Sequence, residues 1–122
     1  MLVVLDTNVV LRAISSQSKL AVIIDKLFSN EFDLLISSDI LLEYEEIITQ
    51  FYSVLVAKSF LDFLLLLPNV IKISPSYKLN LIPLDPDDNK FIDCAFAGNA
   101  TYIVTDDKHF NILKRTMHPK AY

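Results

Sequence analysis

Glycine is almost absent from this chain of 122 residues, which contains a single glycine and a single cysteine. A dinucleotide-binding fingerprint needs several glycines and a phosphate-binding P-loop needs two, so the composition excludes both common nucleotide sites. One cysteine and two histidines leave too few ligands for a closed zinc site. Basic residues are also few, since the chain has 11 Lys and Arg against 15 Asp and Glu. The resulting net charge of −4 gives no electrostatic indication of nucleic-acid binding.

Hydrophobic residues are abundant at 52%, which predicts one folded domain spanning residues 1–122. The opening segment MLVVLD has no basic region before its apolar stretch, so we expect no cleaved signal peptide. The block VLVAKSFLDFLLLLP contains Lys58 and Asp62 and stops at Pro68, which predicts a buried helix and not a membrane span. Cys94 lies in the apolar segment FIDCAFA and is expected in the core, as suits a reducing cytoplasm.

Short apolar runs alternate with segments of helical spacing along the whole chain. Strands are predicted at 2–5, 32–37, 69–74 and 102–105. Helices are predicted at 9–14, 19–29, from a cap at Ser38 or Asp39, at 53–67, from Asp85 to a stop at Gly98, and from His109 onward. Strands that alternate with helices favour a parallel sheet covered on both faces, so the expected fold is a three-layer α/β/α domain with four strands.

Acidic residues recur where predicted strands end or helices begin. Asp6 directly follows the first strand, and Asp106 and Asp107 follow the fourth. Asp88 lies at the start of a helix together with two further acids, and Glu43 lies about one turn into the helix after the second strand. Any one of them is also explained as a turn former, a cap or a solvated residue. Carboxylates pooled at one sheet edge repel each other unless a cation intervenes, and Mg²⁺ or Mn²⁺ prefers such oxygen ligands.

Small polar neighbours accompany these acids. Asn8 follows Asp6 by two residues and Thr105 ends the fourth strand, so each is placed to orient a ligand carboxylate or a metal-bound water. Helix capping is the alternative role of Asn8. Asp93 lies five residues beyond Asp88, about 140° around the helix, and is a further candidate with a surface position as its alternative.

Three segments of the chain resemble PIN-domain proteins: LVVLDTNVVLRA, SSDILLEYEEII and DPDDNKFIDCAFAGNATYIVTDDKHF. The resemblance covers roughly residues 1 to 113 and is nearest to the small bacterial PIN proteins regarded as toxins of toxin–antitoxin pairs. It implies that the four family acids correspond to Asp6, Glu43, Asp88 and Asp107. The neighbouring acid, Asp106, stands where the family often has glycine, so which of these two acids faces the metal stays open.

The resemblance implies a cytoplasmic ribonuclease that uses Mg²⁺ or Mn²⁺ to cleave single-stranded RNA. It also implies a cognate antitoxin protein, a homodimer and no membrane partner. Cations near the predicted site are candidates for RNA contact, with ordinary solvation as their alternative. They are Arg12, Lys90, Lys108, Lys114 and Arg115.

Two alternatives and one departure from the family remain. A catalytically silent interaction protein with the same fold is the first alternative. The second is a Mg²⁺-binding receiver-type signalling domain, although NVIKIS ends without the aspartate that such a domain phosphorylates. Family members continue past the last motif with another short strand and a helix, whereas this chain ends in LKRTMHPKAY. We therefore expect the fifth, edge strand to be missing, truncated or replaced.

Overall fold

The structure, a computed structural model, describes residues 1–15, 17–75 and 89–105 and the backbone of 120–121. The strands are β1 Leu2–Leu5, β2 Asp33–Ile36, β3 Val70–Lys72, β4 Tyr102–Val104 and β5 Lys120–Ala121. The helices are α1 Thr7–Ile14, α2 Ala21–Phe28, α3 Ser38–Phe51, α4 Val54–Leu66 and α5 Asn89–Ala97. The helix predicted from His109, and the start of the helix predicted from Asp85, lie outside the described residues.

The five strands form one sheet in the order β3-β2-β1-β4-β5, and every pair is parallel. Val3, Val4 and Leu5 of the central strand are each 3% exposed or less. Because successive side chains point to opposite faces of a sheet, both faces of β1 are covered. The three-layer α/β/α prediction is confirmed. A receiver-type fold has the strand order 2-1-3-4-5, so the observed order excludes that alternative.

A short edge strand is present where the sequence predicted a missing, truncated or replaced one. β5 pairs in parallel with β4, Tyr102 lying opposite Lys120 and Ile103 opposite Ala121. The sequence did not decide among the three outcomes because two residues are a weak signal, and Lys and Ala carry no strand preference. Of the outcomes predicted, only a short edge strand agrees with the structure.

The apolar block of α4 is only half buried, which corrects the prediction of a buried helix. Ala57, Leu61 and Leu64 lie in the core, whereas Leu55 and Leu66 are 73% and 82% exposed. α4 packs on α3 and β3, so its other side faces outward. In the part of the chain that the structure describes, no helix is long and apolar enough to cross a membrane.

Two asparagines, and not the single glycine, supply the left-handed residues that end helices. Asn30 after α2 and Asn99 after α5 have φ values of 60° and 52°. After α5 the Ala100 N–H donates to the Ala95 carbonyl at 2.8 Å and the Asn99 N–H to the Phe96 carbonyl at 3.2 Å, the hydrogen bonds of a Schellman cap. Gly98 was predicted as the helix stop, but the left-handed position is one residue later. Asparagine tolerates this conformation, so a chain with one glycine can still cap its helices.

The single glycine serves close packing. A Cβ atom on Gly98 would lie 2.6 Å from Leu35 Cδ1 and 2.8 Å from Ile73 Cδ1. We expect Gly98→Ala to destabilise the fold by about 2 kcal/mol, because Leu35 is a core residue with little room to move. Urea unfolding measures the change. Asn99→Gly is the matched control and should alter the free energy of unfolding by less than about 0.5 kcal/mol, since glycine also accepts the left-handed conformation; equal effects of the two variants would contradict the packing role.

Helix and strand ends differ from prediction by one or two residues. The cap of α3 was predicted at Ser38 or Asp39, but the Ser37 hydroxyl accepts the hydrogen bond from the Ile40 N–H at 3.3 Å. Three successive polar residues are chemically equivalent candidates, and only the direction of the chain leaving β2 selects among them.

Asn69 ties three elements together just before β3. Its side chain is buried, and its Nδ2 donates to the Leu27 carbonyl at 2.9 Å and to the Phe32 carbonyl at 2.7 Å. These bonds join the end of α2 and the approach to β2 to the start of β3. The buried amide thus gives the Phe32 carbonyl a donor and the Leu27 carbonyl a further donor beside the Asn30 N–H.

The lone cysteine lies in the core, as predicted. Cys94 is fully buried on α5, and burial, followed by the charge of Asp93, raises the pKa of its thiol to about 12. The thiol therefore stays protonated at neutral pH and is no nucleophile.

Candidate active site

The sheet order creates a crevice beside the central strand. The chain runs from β1 outward through β2 and β3, and later returns on the other side of β1 through β4 and β5. In open parallel sheets, ligands bind beyond the carboxyl ends of strands where the order reverses, which here is the edge between β1 and β4. Asp6 follows β1 and Thr105 follows β4 at this edge. The fold alone thus selects the place where the sequence predicted the carboxylates.

Asp6 stands at the cap position of α1, yet its side chain does not cap the helix. Its backbone is extended, with φ −61° and ψ 148°, and its N–H continues the sheet by donating to the Val104 carbonyl at 3.0 Å. The carboxylate accepts the Thr105 hydroxyl at Oδ2, at 2.7 Å, and the residue is only 4% exposed. The Asp6 carboxylate is therefore buried at the sheet edge and does not cap α1.

Glu43 points inward from α3, which settles a direction that the sequence left open. Its Oε2 accepts the Thr7 hydroxyl and its Oε1 accepts Lys90 Nζ at 2.8 Å. Glu45 and Glu46, in the same acidic run, are exposed. Because Thr7 directly follows Asp6 in the chain, its bond to Glu43 brings the two candidate carboxylates to the same edge of the sheet. Sequence reasoning passed over Thr7; its signal is a hydroxyl residue directly after Asp6, at the first position of α1.

Tyr44 is a buried residue of α3 that contacts the end of β1 at the same sheet edge. The side chain is fully buried and its hydroxyl donates to the Leu5 carbonyl at 2.5 Å, which fixes α3 to the end of β1. Burial raises the pKa of Tyr44 well above its ordinary value, and the charges of Asp6 and Glu43 add to the effect after that of Cys94. Both carboxylates therefore act on the pKa of the same phenol. Sequence reasoning missed this residue as well, although its polar group on the apolar face of α3 is a usable signal.

The other described candidates occupy varied positions. Asn8 is the second residue of α1 and is exposed, so it is not the cap of that helix. Arg12 is exposed in the last turn of α1, about two turns from Asp6. Asp93 is buried on α5 and not on the surface. Lys90, predicted as an RNA contact or a solvated residue, is paired with Glu43 and mostly withdrawn from solvent.

Half of the predicted ligand set falls outside the described residues, together with several predicted cations. These residues are Asp88, Asp106, Asp107, Lys108, Lys114 and Arg115. Within the described ranges, no group of three or more His, Cys, Asp and Glu side chains is arranged to hold a metal ion. The structure thus brings together Asp6 and Glu43, with Thr7, Thr105 and Lys90 bonded to them.

The donor chemistry of this edge fits a divalent cation. Two carboxylates from different elements supply oxygen atoms, which hard ions such as Mg²⁺ and Mn²⁺ prefer. Each carboxylate is held by a threonine hydroxyl, the kind of support that orients metal ligands. A cationic group, the Lys90 ammonium, already lies against Glu43. The edge therefore attracts positive charge and offers oxygen ligands to it.

Comparisons with known proteins agree with the sequence resemblance. Residues 2–109 match the PIN domain family. A solved structure with a similar fold is described as VapBC2 from Rickettsia felis bound to a DNA fragment from their promoter; the TM-score is 0.69 and the identity 21%, over 100% of this chain and 98% of that chain. No curated protein sequence matches this chain. The family match spans most of the sequence, and the fold agrees with it, so the chain belongs to the PIN-domain family.

Proposed function

We propose that this protein is a divalent-metal-dependent endoribonuclease that cleaves single-stranded RNA, and that it is the toxin of a toxin–antitoxin pair. One observation carries the proposal: Asp6 is buried at the switch point of the sheet, does not cap its helix, and is held by Thr105 beside Glu43. Membership of the PIN family supports the same chemistry, since the resemblance implies a metal-dependent nuclease.

The proposed ligands of Mg²⁺ or Mn²⁺ are Asp6, Glu43, Asp88 and Asp107, with Asp106 as the alternative to Asp107. When bound, such an ion lowers the pKa of a water molecule and supplies hydroxide for in-line attack on a phosphodiester. The protein contributes position: Thr105 fixes Oδ2 of Asp6, and Thr7 fixes Oε2 of Glu43. Asn8 and Asp93 remain candidates for further support of these ligands, and the exposed Arg12 for contact with RNA.

The two threonine hydroxyls provide a test of this positioning role. We expect Thr7→Val and Thr105→Val each to weaken Mn²⁺ binding and RNA cleavage by about tenfold, because valine keeps the shape but loses the bond that orients a ligand carboxylate. Calorimetric titration with Mn²⁺ and cleavage rates measure the two effects. Thr49→Val, on α3 away from these carboxylates, is the control; wild-type affinity in both site variants would contradict the role.

RNA cleavage itself is the primary test. End-labelled single-stranded RNA is incubated with the protein and Mg²⁺ or Mn²⁺, and a parallel sample contains EDTA. Hydrolysis by a metal-activated water leaves no cyclic phosphate, because the 2′-hydroxyl takes no part. Metal-dependent products without a 2′,3′-cyclic end are expected, and products that form equally in EDTA would rule out the proposal.

A catalytically silent interaction protein is the second candidate, and one observation favours it. The Lys90 ammonium already balances the charge of Glu43, so these two groups need no metal between them. Mn²⁺ titration separates the two functions. The absence of binding at millimolar Mn²⁺ would favour the silent protein.

An exposed apolar surface supports a protein partner. Leu42, Leu55, Phe63 and Leu66, on α3 and α4, are each more than half exposed. Leu42 and Leu65 line one groove between α3 and α4, and contiguous exposed apolar residues mark protein contact sites. We propose that the cognate antitoxin covers this surface. Co-expression with the product of the adjoining gene should yield a stable complex that Leu55→Glu disrupts; a homodimer of the chain alone, disrupted by the same change, would instead assign the surface to self-association.

A further inference from the structure

Lys90 is an unusual lysine because most of its side chain is withdrawn from water. Its side chain is 22% exposed and that of its partner Glu43 is 19% exposed. Lysine side chains are mostly exposed in folded proteins and are rarely buried unless they are paired. The Nζ to Oε1 distance of 2.8 Å is that of a charge-assisted hydrogen bond. The pair is therefore a defined feature of the site and not a transient surface contact.

Each carboxylate oxygen of Glu43 already accepts a hydrogen bond from another side chain of the protein. The Thr7 hydroxyl bonds one carboxylate oxygen and the Lys90 ammonium bonds the other. A divalent ion at Glu43 would come close to an ammonium of like charge, and the repulsion between them is weakly screened in a site so little exposed. Metal and ammonium therefore compete for the same carboxylate.

We propose that Lys90 is a resident counter-ion of Glu43 that competes with the divalent cation and sets the metal affinity of the site. This inference rests on the proposed function, because it needs a metal that binds at Glu43. Without metal, the ammonium neutralises Glu43 and keeps the carboxylate ordered. Metal binding then works against the charge of Lys90, so a higher metal concentration is needed to fill the site.

The test compares Mn²⁺ binding by wild type, Lys90→Met and Lys90→Arg in calorimetric titrations. Methionine keeps most of the side-chain volume without the charge, and we expect about tenfold tighter Mn²⁺ binding. Arginine keeps the charge and should bind Mn²⁺ as weakly as wild type. Lys90→Gln, which can still donate a hydrogen bond to Glu43, is the second neutral variant and should also bind more tightly.

Thermal unfolding supplies a readout that a merely structural lysine would not give. Loss of the ion pair should lower the Tm of Lys90→Met without metal, and saturating Mn²⁺ should raise its Tm more than it raises that of wild type. An equal Tm deficit with and without Mn²⁺ would overturn the competition.

Each binding outcome has one meaning. If wild type binds Mn²⁺ and both neutral variants bind it equally or less tightly, the inference fails while the proposed function stands. If neither wild type nor the neutral variants bind more Mn²⁺ than Glu43→Gln, the metal site and the inference fail together. If the neutral variants alone bind Mn²⁺, the competition by Lys90 is supported, but the wild-type chain binds no metal and the result favours the catalytically silent protein.

Discussion

Replacing Asp6 with Asn is expected to lower the rate of RNA cleavage by about 10³-fold while the protein remains folded. Asn has the same shape and its amide oxygen accepts the Thr105 hydroxyl, so the local packing at the end of β1 survives. It lacks the negative charge that a divalent ion needs as a ligand. The single-turnover cleavage rate at saturating Mn²⁺ measures the effect, and circular dichroism reports the fold.

Asp25→Asn is the matched control for this variant. Asp25 is exposed on α2, and its replacement removes the same charge without touching the sheet edge. We expect a cleavage rate within about twofold of wild type, since an exposed charge far from the site is screened by salt. A folded Asp6→Asn protein that cleaves RNA as fast as Asp25→Asn would remove Asp6 from the site.

Asn69→Ala is expected to destabilise the fold by about 3 kcal/mol and to lower the Tm by about 10 °C. The change removes both hydrogen bonds of the buried amide. The Phe32 and Leu27 carbonyls then each lose the donor that Asn69 supplies. It also opens a small cavity among α2, β2 and β3. Urea unfolding followed by fluorescence or circular dichroism measures the free energy.

Gln50→Ala is the control for Asn69→Ala, because it removes an amide side chain that is exposed on α3. Its effect should stay within about 0.5 kcal/mol. If the two variants unfold at the same denaturant concentration, the junction that Asn69 makes contributes nothing to stability.

Much of the layered fold follows from the sequence because the strands are buried on both faces. The run LVVL of β1 and the residues LLI of β2 have no polar residue to place on a solvated face, so only a covered parallel sheet accommodates them. The direction of Glu43, which lies inside α3, was left open by the sequence, but the place of Asp6 was predictable for a related reason. Acids placed directly after such strands converge at one edge once the strands are parallel.

Other features depended on tertiary distances that sequence spacing does not encode. Thr7 and Tyr44 matter because α3 lies against the end of β1, and nothing local to either residue reveals that contact. Lys90 resembled a solvated cation until α5 brought it to Glu43, 47 positions away. The presence of β5 was left open by the sequence because edge pairing uses backbone groups. The exposed side of α4 was not predicted because apolar composition does not show which face of a helix is covered.

The acidity of the chain has a local interpretation under this account. The four proposed ligands, Asp6, Glu43, Asp88 and Asp107, carry as much negative charge as the whole net charge of −4. The excess therefore belongs to a proposed metal site and does not argue against a nucleic-acid substrate. Lys90 already offsets one of these charges in the metal-free protein.

The dependence of RNA cleavage on Mn²⁺ concentration tests the central claim most directly. Protein freed of metal with EDTA and dialysed is titrated with Mn²⁺ while the cleavage rate of single-stranded RNA is recorded. The account predicts no cleavage at first, then a saturable rise at the Mn²⁺ concentrations where calorimetry detects binding, and neither signal in Asp6→Asn. Cleavage that is already complete before Mn²⁺ is added, or that rises without any binding at Asp6, would contradict it.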